Sequence, residues 1–167
     1  MASAFHQQGY RLITDDVMAI QMDAPIPQVI PSFPEVKLLP DAADVLQVSD
    51  RTALGQPLGY KQTQRLDAQF TPHPVSLRQF YVLRLGEQHQ IDPMLRTQSF
   101  VELIQHSRAL KALKDPSVKV QHFHQCSELA KVVPMGYLQR PRSLEQLPQA
   151  IRGIEEHLGY LSPSDRR

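Results

Sequence analysis

Two adjacent carboxylates, Asp15 and Asp16, close the run Gly9-Tyr10-Arg11-Leu12-Ile13-Thr14. Neighbouring carboxylates repel each other, so at least one needs a cation or a hydrogen-bond donor close by. Mg²⁺ is one such cation. Chemistry on phosphates uses acidic side chains at the carboxyl end of a strand, to hold Mg²⁺ directly or through water, or to take a proton from an attacking hydroxyl. The plainer alternative is a turn at a strand end, where Asp is common and a carboxylate caps a backbone amide. Lys37, Lys61 and Arg65 are the cations that would neutralise phosphoryl charge. For Lys61 and Arg65, in a polar stretch, ordinary surface solvation competes with that role.

A second cluster, His122-x-His124-x-Cys126, has the composition of a metal site but the wrong spacing. Zinc takes about four ligands, or three and a water, and ligands two apart suit a strand or loop. The surrounding pattern predicts a helix, on which His122 and Cys126 share a face and His124 points away. Cys126 then reads as a small apolar core residue rather than a nucleophile.

The acidic pair depends on the elements before it. Residues 1–8 are rich in helix formers and Gly9 suits the left-handed position that ends a helix, so the order expected is helix, glycine, short buried strand, Asp-Asp. In phosphate-loop proteins such a helix follows the loop, and its first amides help to cradle the anion. No G-x-x-x-x-G-K-[ST] occurs anywhere in the 167 residues, which contain only seven glycines. The expectation is that the chain begins a few residues after a phosphate loop, with Met1 an internal methionine.

Prolines organise the rest of the N-terminal half. Fourteen occur in 167 residues, above the usual share of about 5%, and Pro25, Pro27, Pro31, Pro34 and Pro40 exclude a helix across the stretch they occupy. Extended segments are predicted at 17–22, 28–30 and 36–39, then a short helix capped by Asp41. Residues 48–75 read as a long surface connection with one strand, and 79–85 as a clear β run. Helical spacing predicts a helix capped by Ser99 with Val101, Leu103, Ile104, Leu110 and Leu113 inward. Another is predicted over 118–133, with Phe123, Leu129 and Val133 inward, and 135–138 as a short extended piece. Ser143 and Gln146 form a capping box for a last helix, which Pro148 bends or delays by a turn. Residues 162–167 read as a disordered tail.

The run from Met1 to Val17 resembles the segment just after the phosphate loop in the HPr kinase/phosphorylase group of serine kinases, whose core is similar to phosphoenolpyruvate carboxykinase. Pro31-Ser32-Phe33-Pro34-Glu35-Val36-Lys37-Leu38-Leu39-Pro40-Asp41-Ala42 is similar to the Pro/Gly-Phe-Pro-x-x-Lys-Leu-x-Pro-Asp motif of small HPr-kinase-like proteins. Residues 80–87 resemble that branch's central strand, and 129–142 its Leu-Ala-x-x-Val-Pro-x-x-x-Leu-x-Arg-Pro-Arg ending. The resemblance implies an α/β fold with a phosphoenolpyruvate carboxykinase-like core, truncated at its N-terminus, with a helical C-terminal half. It implies one domain over 1–161. It also implies ATP-dependent phosphorylation of a protein or peptide hydroxyl by the full-length form, with the reverse phosphorolysis known in the family. Asp15 and Asp16 would then be the metal-binding and base pair, with Mg²⁺ and ATP as cofactors of that longer form and neither held tightly by this chain. The competing expectation is a degenerate relative that has lost its nucleotide site and binds a protein partner.

Composition fits without deciding. Residues are 41% hydrophobic and 21% charged, ordinary for a globular chain with a core. A net charge of +1 gives no bulk attraction to nucleic acid or anionic membrane. No apolar run approaches membrane-spanning length. The single cysteine excludes an internal disulfide and points to a reducing cytoplasm. A sheet edge or helix end left open by missing residues would favour a homo-oligomer.

Overall fold

The computed structural model describes residues 1–38, 62–66, 70–108 and 115–159. They are mixed α/β and gather into two compact units, each built from separate stretches of chain. The first comprises Met1–Ala19, Ile30–Pro74 and Arg142–Arg167; the second comprises Ile20–Val29 and Val75–Pro141.

In the first unit, α1 (Ala2–Gln7) ends where expected: Gly9 takes φ +90, a left-handed conformation that a side chain would disfavour. One face of α1 packs on α4 (Leu147–His157), burying Ala4 with Leu147 and Ile151, while Phe5, Tyr10 and Leu144 close the edges. Phe5 and Tyr10 meet edge to face at 5.2 Å, and the Tyr10 hydroxyl donates to Glu155 Oε1 at 2.5 Å. The capping box expected from Ser143 does not form. Pro148 fits only the first turn of a helix, so α4 starts a turn later, with Gln146 at its N-cap and no side-chain cap.

The short strand expected before the acidic pair shrinks to one parallel bridge, Leu12 with Phe70. Leu12 is nevertheless core, buried with Val36 and Leu66. Val36 lies on β3 (Glu35–Leu38), which pairs antiparallel with β4 (Gln62–Arg65) from Glu35 opposite Arg65 to Leu38 opposite Gln62. Alternation along β3 sends Val36 inward and turns Glu35 and Lys37 to the other face. Asp41, the helix expected after it and the 162–167 tail lie outside the described residues.

Among the described residues the second unit contains two three-stranded sheets, with only the end residues Ala19 and Ile30 falling to the first unit. The strands β1 (Ala19–Gln21), β2 (Gln28–Ile30) and β5 (Val75–Ser76) lie in that order, with Val29 opposite Val75. The larger sheet has the order β6 (Phe80–Leu85), β8 (Met135–Arg140), β7 (Gln90–Pro93). β8 runs parallel to β6 and antiparallel to β7, so the last strand in sequence is the central one. Among the described residues, α2 (Arg96–His106) and α3 (Pro116–Val132) lie between β7 and β8.

Both helices differ from their sequence patterns. Ser99 lies inside α2, buried, its hydroxyl donating to the Leu95 carbonyl one turn back; the start is capped by Gln98, whose side chain accepts from the Leu95 amide at 2.9 Å. The buried residues of α2 are Ser99 and Glu102, whereas Val101 is exposed. Leu110 and Leu113 fall outside the described residues. On α3, Asp115 caps the first turn by accepting from the Ser117 amide, and Cys126, Leu129 and Ala130 form the inward face. Phe123 is exposed instead of inward and makes its ring contact with Phe100, at 4.7 Å.

Candidate functional site

The acidic pair sits on a bend rather than at a strand end, and its neighbours fix that bend. The Thr14 hydroxyl donates to the Val17 carbonyl at 2.5 Å and accepts from the Ser32 hydroxyl at 2.9 Å. The Ser32 amide donates to the Ile13 carbonyl at 3.1 Å, so residues 13–17 are tied to the segment leading into β3. Inward Leu12 and Val36 anchor these two segments from beneath.

Both carboxylates then meet one residue. Asp15 Oδ2 accepts from the backbone amide of Lys37 at 2.9 Å, and Asp16 Oδ2 lies 3.5 Å from the Lys37 ammonium. Asp15 and Lys37 are twenty-two residues apart in sequence, so this is not the local turn cap that an Asp commonly provides. Arg65 lies directly opposite Glu35, two positions from Lys37 across the β3–β4 ladder, and Thr63 lies opposite Lys37. Four of the five residues singled out by sequence thus belong to one small region of the first unit. Lys61 lies outside the described residues.

The energetics of this region are those of a surface. Side chains of Lys37 and Asp16 are 49% and 43% exposed, which puts their ion pair in the range of about 0 to 1 kcal/mol. Such a pair is easily exchanged. Among the described residues no group of three or more His, Cys, Asp or Glu could hold a metal ion. Asp15 and Asp16 alone therefore make no closed cage of the kind Zn²⁺ or Ca²⁺ takes. Two carboxylates are the ligand type that Mg²⁺ takes, one or two at a time, with water and phosphate completing its shell.

His122 and Cys126 do share a face of α3, with Sγ 3.5 Å from Nε2, and burial pushes the Cys126 thiol upward from its ordinary value. A thiol so displaced is held as the neutral, less nucleophilic form. His124 is exposed beside the Phe123 ring.

Sequence reasoning missed a polar cluster in the second unit. Glu102, buried on α2, accepts at Oε1 from Arg84 at 3.1 Å and from the Tyr137 hydroxyl at 2.8 Å, while His106 Nε2 lies 3.3 Å from Oε2. The Arg84 guanidinium stacks over the Tyr137 ring, 3.4 Å from its centroid. The acceptor Glu102 holds the Tyr137 hydroxyl above the usual tyrosine range, with desolvation adding to the shift. The available signal was Glu102 and His106 four apart on a helix whose apolar positions were only loosely periodic.

No protein-family model, curated protein or solved structure matches this chain. No described helix is long and apolar enough to cross a membrane.

Proposed function

We propose that this chain is the portion after the phosphate loop of an HPr-kinase-like enzyme, and that Asp15, Asp16 and Lys37 form the part of its phosphoryl-transfer site that the sequence contains. The observation that supports this reading is the convergence of both carboxylates on Lys37, which lies in a separate motif of the same resemblance. Bound Mg²⁺ would neutralise developing charge on the phosphoryl oxygens. Asp15, fixed by the Lys37 amide, and Asp16, at the surface, are the residues that would hold the cation and take the proton of the attacking protein or peptide hydroxyl. The Lys37 ammonium, 3.5 Å from Asp16 Oδ2, would offer positive charge to the transferred group.

The reading requires phosphate-loop amides and a loop lysine from outside these 167 residues, since no G-x-x-x-x-G-K-[ST] is present. One observation favours a second reading. Lys37 satisfies Asp15 with its amide and Asp16 with its ammonium, so the trio is also complete as a purely structural tether. In that case the chain is a degenerate, non-catalytic homologue that binds a protein partner.

One experiment separates the two. In-frame coding sequence upstream of Met1 is read, and a polypeptide extended accordingly is titrated with Mg-ATP by calorimetry beside the 167-residue chain. The kinase reading expects a phosphate loop ending within a few codons of Met1. It also expects binding by the extended chain that is lost on changing the loop lysine, and weak or undetectable binding by the shorter one. An in-frame stop or unrelated sequence there sinks it and leaves the binding module.

A further inference from the structure

The connection from β6 to β7 must cross the end of β8, because β8 lies between them. It does so over residues 86–89, and it runs close: a Cβ on Gly86 would meet Gln139 Oε1 at 2.9 Å. At this crossing three polar atoms are shielded from solvent and have no hydrogen-bond partner among the described residues: Arg140 Nε and both ring nitrogens of His89. The ladder pairs Gln90 with Gln139 and Ile91 with Leu138. His89 and Arg140 are each the next residue beyond this last pair, Gln90 with Gln139, and continuing the register by one step would set them opposite each other on one face of the sheet.

Buried polar atoms in native proteins are almost always paired, and each exception calls for a cause such as an absent water or ion. Here the orphaned atoms belong to residues at the ends of two neighbouring strands. Arg140 Nη1 already donates to the Pro141 carbonyl at 3.0 Å, which leaves the side-on edge that carries Nε. That edge presents parallel N–H groups matched to a carboxylate or phosphate. Imidazole carries at least one N–H in either protonation state. The place is also the one open α/β sheets use for ligands, outside the carboxyl ends of parallel strands.

We infer that the carboxyl end of the β6–β8 pair binds an oxyanion, carboxylate or phosphate, between the side-on edge of Arg140 and the ring of His89. The two residues are themselves only half-buried, and Leu85, which pairs with Arg140 on the other side, is 64% exposed. A small anion therefore reaches the patch by side-chain rotation, without unfolding the sheet. This site belongs to the second unit and owes nothing to the role proposed for Asp15 and Asp16.

The test is an NMR titration of the 167-residue chain with sodium phosphate and, separately, sodium acetate, at ionic strength held constant with chloride. The expected result is a saturable shift of the His89 ring and of the Arg140 Nε–H on one isotherm, while the other six of the seven histidines move little. Saturation by phosphate alone assigns a phosphoryl ligand, and saturation by acetate assigns a carboxylate. In Arg140→Lys, which keeps the charge and loses the side-on edge, affinity should fall about tenfold. Absence of a saturable shift up to tens of millimolar of either anion overturns the inference, as does a shift shared by all histidines. Should the variant fail to fold, the Arg140 Nε–H isotherm of the unaltered chain still decides.

Discussion

Lys37 and Glu102 each draw several charged or polar partners to one residue, and they are held in opposite ways. Glu102 is buried, and its three partners come from three elements: Arg84 on β6, Tyr137 on β8 and His106 on its own helix. Lys37 and its partner Asp16 are about half exposed. A buried carboxylate with its lone pairs satisfied fixes a helix on a sheet, because loss of any partner leaves a desolvated group behind. An exposed trio fixes little and can be rearranged by a cation or phosphate at small cost. The difference separates a group that organises a fold from groups available for chemistry.

The largest effect should come from breaking the buried cluster. Glu102→Ala leaves Arg84 and the Tyr137 hydroxyl without their acceptor and is expected to cost about 3 kcal/mol. Glu102→Gln, which keeps an acceptor oxygen, should cost clearly less in the same urea titration. An alanine variant as stable as the parent would show the cluster to be ornamental.

Alkaline titration sharpens the same contrast. Tyr137 has its hydroxyl raised above the ordinary value, chiefly by donation to Glu102. A raised value in the folded state means that the neutral form is the one stabilised. The contribution is full below the unfolded-chain value, near about 10, and is lost as pH rises through the folded one. Stability of the parent should therefore fall more steeply above that pH than stability of Tyr137→Phe. Parallel alkaline limbs in thermal unfolding would contradict the assignment.

The smallest effects belong to the exposed trio. Asp15→Ala removes the acceptor of the Lys37 amide and should cost up to about 1 kcal/mol. Asp16→Asn should change stability by less than about 0.5 kcal/mol, since only a screened pair is lost and the repulsion from Asp15 goes with it. A loss above about 2 kcal/mol for Asp16→Asn would make the trio a structural tether and erase the contrast with Glu102.

What was legible in the sequence was whatever depends on backbone chemistry. Prolines placed β2 and β3 within a residue, Gly9 ended α1, and Pro148 delayed the start of α4 by a turn. The candidate trio was partly legible too, because Asp15, Asp16 and Lys37 stood out separately before they were found together. Periodicity failed on α2, where the buried positions are Ser99 and Glu102 and a hydrophobic pattern treats such residues as outward. It failed on α3 for Phe123, whose aromatic neighbour comes from α2 rather than from a core. Pairing was invisible as well: nothing local to β6 says that each residue's partner lies fifty-five positions on, as Phe80 pairs with Met135, or that β7, only four residues long, belongs to the same sheet.

That sheet order also governs when the second unit can fold. Neither β6 nor β7 has its partner until β8 is available, and β8 is completed only at Arg140. As the polypeptide leaves a ribosome, β6 and β7 must wait while α2 and α3 emerge, two unpaired edges carrying Leu83, Leu85 and Ile91. Local helices form early and non-local strands late. The wait is therefore the interval in which a nascent chain is most exposed to pairing with a copy of itself. Chains ended before residue 135 contain every strand of this unit except the one that makes a sheet of β6 and β7.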